Sequence, residues 1–245
     1  MFRDGASIEV VWNRYVFDRR LRLLVMDAVE RIEIATRSHL AYEHAHAHGA
    51  FGYALDPVSL PKLDSAKRAH FLDHVEDESK RSREQFVDHF YGKYAAKHQY
   101  LPVWMATEIM SFGTILSFYR GASHPVKKNV ASVFGMPQKV FDSWLHTINV
   151  IRNICAHHAR LWNRVLGVKP LIPLPREYPD WHTPVTVRNE RVFAVLTICR
   201  HCIRRVAPQS SWDARLMALL NAYPEVPTAE MGFPPNWTAS PIWAW

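Results

Sequence analysis

A chain of 245 residues, 48% hydrophobic and 22% charged, is long enough for one large domain or two small ones, and its apolar content excludes a disordered polyelectrolyte. The formal net charge of +7 and a sequence pI near 9.4 favour phosphate-bearing or otherwise anionic partners. Three cysteines, Cys155, Cys199 and Cys202, argue against a secreted disulfide framework. The opening MFRDGASIEV lacks the apolar segment of a signal peptide, and no run approaches the roughly 20 apolar residues of a membrane span. A soluble, cytoplasmic protein with no membrane partner is expected.

The first predicted helix runs from about Ser7, a capping residue, to His48. Leu21, Leu24, Ala28, Ile32 and Ala35 recur at helical steps, and Asp18/Arg22, Asp27/Arg31 and Glu33/Arg37 are i,i+4 pairs that support it. Gly49 is a stop, and residues 50–60 read as a loop. Lys62 to His98 reads as one or two solvent-rich helices with Phe71, Val75, Phe86, Val87 and Phe90 buried. A dense apolar helix is predicted over Val103–Arg120, and a short one over Val126–Phe134, ending at Gly135. Pro137 then starts a helix over Gln138–Leu166. Five prolines make residues 169–184 a loop. Two more helices are predicted over Val187–Val206 and Ser211–Ala222, and the Pro- and Trp-rich tail from Pro224 is expected over the surface without regular structure. Strand signals are few, and no internal repeat or Gly-rich phosphate loop is present. The fold class is all-α, a helical bundle.

The stretch WLHTINVIRNICAHHARLWNR, Trp144 to Arg164, separates into two faces when read as a helix. Trp144, Ile148, Ile151, Cys155 and Trp162 form an apolar stripe. His146, Asn149, Arg152, Asn153, His157, Arg160, Asn163 and Arg164 form a polar one that contains no carboxylate. An ordinary solvated face mixes both signs, because i,i+4 pairs stabilise it; this one suits an anion and carries an imidazole fit for proton transfer near neutral pH. With the apolar stripe against the core, Arg152 lies about 100° and His157 about 240° round from Ile151. Both face away from the core, whereas His158 falls near Ile151 and Cys155 and is expected to hydrogen-bond inside the fold. Periodicity alone slightly favours a solvent-exposed basic face without catalysis.

RNICAHH contains R-N-x-x-x-H, and RNICAHHARLWNR resembles the signature of Abi-like abortive-infection proteins of the AbiD/AbiF type, in the HEPN superfamily of helical ribonucleases and RNA-binding proteins. YVFDRRLRLLVMDAVERIEIATR (Tyr15–Arg37) is similar to that family's first helix, and LPVWMATEIMSFG (Leu101–Gly113) and MGFPPNWTASPIW (Met231–Trp243) to its middle helix and C-terminal tail. Family members usually carry several dozen residues ahead of the part equivalent to Phe2. The resemblance implies a HEPN-like core over residues 1–168 that holds the R-x4-H helix. Residues 169–245, a loop, two helices and an irregular tail, would pack on the same domain.

It also implies a metal-independent endoribonuclease of anti-phage defence, a toxin without cofactor that acts as a homodimer and leaves 2′,3′-cyclic phosphate and 5′-OH ends. His157 matches the motif histidine, a general acid or base. Arg152 matches the motif arginine and would stabilise the phosphate, and Asn153 would orient one or the other. Arg160, Asn163, Arg164, His146 and Asn149 would extend the RNA surface. The alternative is a non-catalytic protein that grips a small noncoding or structured RNA through the same face.

Other candidates have plainer readings. Glu108, the one acid in the apolar helix, is expected to be buried and paired with an arginine of the first helix. His44, His46 and His48 offer an i,i+4 pair capable of chelating zinc, which would suit a zinc-dependent hydrolase, but no carboxylate completes a site. Cys199 and Cys202 form a lone C-x2-C within a helical pattern, where packing is the default. No metal site is assigned.

Overall fold

The computed structural model describes residues 7–244; the start at Phe2 and most of the segment read for a signal peptide lie outside them. The described residues form ten α-helices and four short 3-10 turns, with no strand among them. The all-α expectation holds. The helices are α1 (Ile8–His48), α2 (Gly52–Leu55), α3 (Ser65–Arg81), α4 (Gln85–Tyr94), α5 (Val103–Ile109), α6 (Phe112–Gly121), α7 (His124–Val133), α8 (Gln138–Ala156), α9 (Val192–Val206) and α10 (Trp212–Ala222).

The chain divides into two compact units. One holds residues 1–32 and 139–245, the other residues 33–138. Helix α1 supplies its first part to one and its second part to the other. The Ser7 hydroxyl accepts from the Val10 amide at 3.2 Å, so the predicted cap is in place. Gly49, at φ +74°, closes the far end, and its amide donates to the Ala45 carbonyl at 2.8 Å.

In the first unit the core is built on Phe17, Leu21, Val25 and Ala28 of α1, on Phe141, Trp144, Ile148 and Ile151 of α8, and on α9, whose residues Val192–Ile203 are all buried. Trp144 and Trp181 pack with centroids 5.0 Å apart, and the Trp144 indole N–H donates to the Leu171 carbonyl at 2.8 Å. The Pro-rich segment is thus fixed by a buried tryptophan, although its prolines keep it out of helices. The tail departs from its expected surface course: Met231, Phe233 and Trp243 are buried, and Phe193, Trp237 and Trp243 form an aromatic cluster. Arg200 ties this tail down, donating to the carbonyls of Ile242 and Ala244 and pairing with Asp213.

In the second unit α3 packs on α5 and α6 around Phe71, Val75, Ile115 and Phe118. The single helix expected over Val103–Arg120 is broken at Met110–Ser111. Ser111 leaves the helical conformation and caps α6, accepting from the Thr114 amide at 3.3 Å. Arg37 stabilises the break, donating to the carbonyls of Glu108 at 2.6 Å and Met110 at 3.0 Å while it pairs with Glu33 at 2.5 Å.

Candidate active site

The residues of the R-N-x-x-x-H string lie at the C-terminal end of α8. Its last helical residue is Ala156, which corrects the expectation of a helix to Leu166. The end is a Schellman motif. The Ala159 amide reaches the Ile154 carbonyl at 3.0 Å and the His158 amide the Cys155 carbonyl at 3.1 Å. The residue in the left-handed position is His158, at φ +56°, where glycine is the usual occupant.

This turn also corrects the placement of His158. It is exposed, because the backbone reverses hand at that residue and carries the ring off the apolar stripe. His157 keeps a helical bond, its amide donating to the Asn153 carbonyl at 3.0 Å. Asn153 and His157 are exposed, and Arg152 is half-buried. The Arg152 guanidinium lies 3.4 Å from the Asn153 side-chain oxygen, a weak contact between neighbours. Helical spacing therefore sets an amide and an imidazole on one solvent-facing stripe, with a guanidinium beside the amide.

Asp18 of α1 holds the chain beyond the turn. Its Oδ1 accepts from the amides of Leu161 at 2.9 Å and Trp162 at 2.7 Å, while Oδ2 pairs with Arg22. All three of Asp18, Leu161 and Trp162 are buried. Two backbone donors and a guanidinium satisfy a carboxylate that would otherwise be costly to bury. The i,i+4 pattern assigns Asp18 only to its own helix and does not signal its reach to a segment far along the chain. Arg14, one turn earlier, rests its guanidinium 5.8 Å from the Trp162 ring centroid and adds an exposed cation there.

The remaining surface candidates are spread over the same unit. Arg160 is exposed, and its carbonyl accepts from Arg164 Nε at 2.8 Å. Asn163 is engaged twice: its side-chain NH2 donates to Glu230 at 3.3 Å, and its backbone carbonyl accepts from Arg191 at 2.8 Å. His146 and Asn149 are half-buried on α8.

Glu108 lies in the other unit. Its side chain is exposed rather than buried, and the arginine of α1 expected to pair with it binds its carbonyl instead. Helix α5 ends there with unsatisfied carbonyls, and a guanidinium presents several donors to them.

Among the described residues no group of three or more His, Cys, Asp or Glu side chains is placed to hold a metal ion. His44 is fully buried against the edge of Phe118, 4.9 Å between centroids, and its ring nitrogens have no hydrogen-bond partner among the described residues. Burial, foremost, and the neighbouring His48 depress its pKa to about 4, against the opposing charge of Asp56, with Arg68 adding a lesser push downward. Cys155, Cys199 and Cys202 are free and buried, and burial pushes the thiols of Cys155 and Cys199 up to about 12.

A family model for Abi-like proteins matches residues 1–163, a span that takes in all of α1 and α8 and the turn beyond them. The chain belongs to the Abi-like protein family. No match was found among curated proteins or among solved structures. Membership in the Abi-like family suggests a role in abortive infection. The matched span contains Asp18 and all of the carboxylate-free string but Arg164, so the buried support and the exposed Asn153 and His157 fall within the same family segment. No helix among the described residues is long and apolar enough to cross a membrane.

Proposed function

We propose that this Abi-like protein is a HEPN-type, metal-independent endoribonuclease that acts in anti-phage abortive infection. The observation that carries the reading is the exposure of Asn153 and His157, with Arg152 beside them, at a helix end rigidly backed by Asp18 on a stretch without carboxylates.

In the proposed reaction an RNA 2′-oxygen attacks its adjacent phosphorus. One His157 imidazole takes the 2′-OH proton as the new P–O bond forms. The P–O5′ bond breaks, and the departing 5′-oxygen receives a proton from an imidazolium. The products are a 2′,3′-cyclic phosphate and a 5′-OH, with no net change in protons. Arg152 matches the charge that develops on the non-bridging oxygens, and its planar fork suits two of them at once. Two histidines in opposite protonation states do this work best, which a homodimer with facing α8 ends would supply. Arg160 and Arg164 add phosphate contacts that give affinity without sequence choice.

The test is incubation of the purified protein with total and transfer RNA in EDTA, beside Arg152→Ala and His157→Ala. Cleavage with cyclic phosphate ends, lost in both variants while their circular dichroism is unchanged, is the expected result. Intact RNA bound in a salt-dependent way, with affinity that falls on loss of Arg160 but not of His157, would replace the enzyme by an RNA-gripping module.

A further inference from the structure

A second candidate site lies in the unit of residues 33–138, away in sequence from the R-N-x-x-x-H string. A cavity of about 540 Å³ opens between α3 and α6, a size typical of small-molecule sites. Helices α3 and α6 run antiparallel there. Glu78 near the end of α3 meets Ser111 and Thr114 at the start of α6, and Phe71 meets Phe118, with centroids 5.7 Å apart. The cavity therefore has two ends with different chemistry.

One end is cationic. Lys62, Lys67 and Arg120 line it, and the Lys62 amide is tied to the Gly121 carbonyl at 3.1 Å, which fixes the loop before α3 against the end of α6. Lys67 pairs with Asp64 at 2.7 Å, but both side chains are more than half exposed, so the pair is weak and yields readily to a better anion. Gly121 is needed for this closure: a Cβ there would lie 2.8 Å from Leu63 Cγ.

The middle is apolar, with half-buried Leu63 and the edge of the mostly buried Phe71 in its wall, and the other end holds the hydroxyls of Ser111 and Thr114, which bond to each other at 3.0 Å. His70 and His74, one helical turn apart, bond to each other through Nε2 atoms at 3.2 Å along one edge. No carboxylate lines the cavity among the described residues. Two carboxylates stand beside it: Asp64 pairs with Lys67 at the cationic end, and Glu78 is directed through Oε1 to the Ser111 amide at 3.1 Å and the Thr114 hydroxyl at 2.9 Å. A simple solvated groove would mix both signs along its length. Cations at one end, an apolar middle and hydroxyl groups at the other instead match phosphate, a flat ring and its polar edge in that order.

We propose that this cavity binds a nucleotide, with the phosphate at Lys62, Lys67 and Arg120 and the base over Leu63 and Phe71 toward Ser111 and Thr114. The ligand is either a free nucleotide or one nucleotide of an RNA strand. The site does not depend on the ribonuclease reading, since none of its residues belongs to the α8 turn.

Calorimetric titration of the full chain carrying Arg152→Ala and His157→Ala removes any cleavage and tests this directly. The probes are AMP, ATP, inorganic phosphate and a single-stranded RNA octamer. The variants are Ser117→Trp, which fills the cavity from an exposed position on α6, and Lys62→Glu/Lys67→Glu, which reverses its cationic end. Nucleotide binding should exceed that of inorganic phosphate by about tenfold or more, and each variant should weaken it by about tenfold or more. An octamer that competes with AMP, or alone loses affinity in the variants, identifies an RNA strand as the source; AMP binding unaffected by the octamer identifies the free nucleotide. Phosphate binding as tightly as the nucleotides, or affinities for AMP, ATP and octamer unchanged in both variants, would overturn the proposal.

Discussion

The Asp18 carboxylate and the Trp162 amide, 2.7 Å apart and both buried, join the first helix to the turn after the candidate catalytic string. The same oxygen takes the Leu161 amide, and the second oxygen holds Arg22. The relationship gives the end of α8 a fixed direction, and with it the direction in which His157 points. Asp18→Ala should therefore act twice. It leaves Arg22 buried without its counter-ion and two amides without an acceptor, a loss of about 3–5 kcal/mol. It should also abolish RNA cleavage at temperatures where the variant is still folded. Asp18→Asn keeps an acceptor for the amides and should lose less on both counts. Urea unfolding of the three proteins measures the first effect; equal stability in all three would show that the contact is incidental.

The two adjacent histidines make a second, opposite pair of predictions. His158 occupies a left-handed position that costs a residue with a Cβ roughly 1 kcal/mol. His158→Gly should raise stability by about 0.5–1 kcal/mol, the relief being partly offset by the greater freedom of glycine in the unfolded chain. His158→Val should lower it, because a β-branched side chain tolerates that conformation least. Cleavage should survive His158→Gly and vanish in His157→Ala. A catalytic loss in His158→Gly as deep as in His157→Ala would exchange their roles.

Arg152→Lys tests the geometry of the guanidinium and not merely its charge. Lysine keeps the positive charge but loses the planar fork that meets two phosphate oxygens together. RNA affinity should change little, whereas single-turnover cleavage should fall by about tenfold or more. An equal fall in both would mean that Arg152 acts only as a point charge in binding.

These outcomes bear on what the sequence could reveal. The start and end of α1 are legible because Ser7 and Gly49 are local signals, and so is the placement of Arg152 and Asn153 on α8, with His157 one residue past its end, since spacing dictates it. The end of α8 at Ala156 is not. No glycine or proline marks it, and its stabilising partner Asp18 lies 143 residues before Leu161. The break between α5 and α6 is hidden for the same reason, since Arg37 holds it from 71 and 73 residues away. The buried tail leaves no such signal, because Phe233 and Trp243 pack as single anchors without a period to announce them.

The cysteines should be inert in the native protein. Burial holds the thiols of Cys155 and Cys199 up at about 12 and raises that of Cys202 well above its usual value, while the thiolate is the reactive form. Iodoacetamide at pH 8 should modify none of the three within the time it labels all of them in urea, as read by intact mass. Rapid native labelling of Cys199 or Cys202 would mean that the C-x2-C pair is accessible and would reopen a role for it beyond packing.

His44 should make the unit of residues 33–138 sensitive to acid. The ring lies buried between Phe118 and His48, and the charged groups that influence it are His48, Asp56 and Arg68. Its folded pKa of about 4 lies below the unfolded value near 6.5, so the unfolded chain binds the proton more tightly. Its contribution is thus fully present above about pH 6.5 and is lost as the pH falls toward about 4, at up to about 1.4 kcal/mol per pH unit. The whole window amounts to about 3 kcal/mol. Hydrogen exchange across residues 33–138 should accelerate between pH 6.5 and 5 after correction for the intrinsic rate. His44→Leu, which cannot take up the proton, should flatten that dependence. An identical slope in the two proteins would assign the acid sensitivity to other groups.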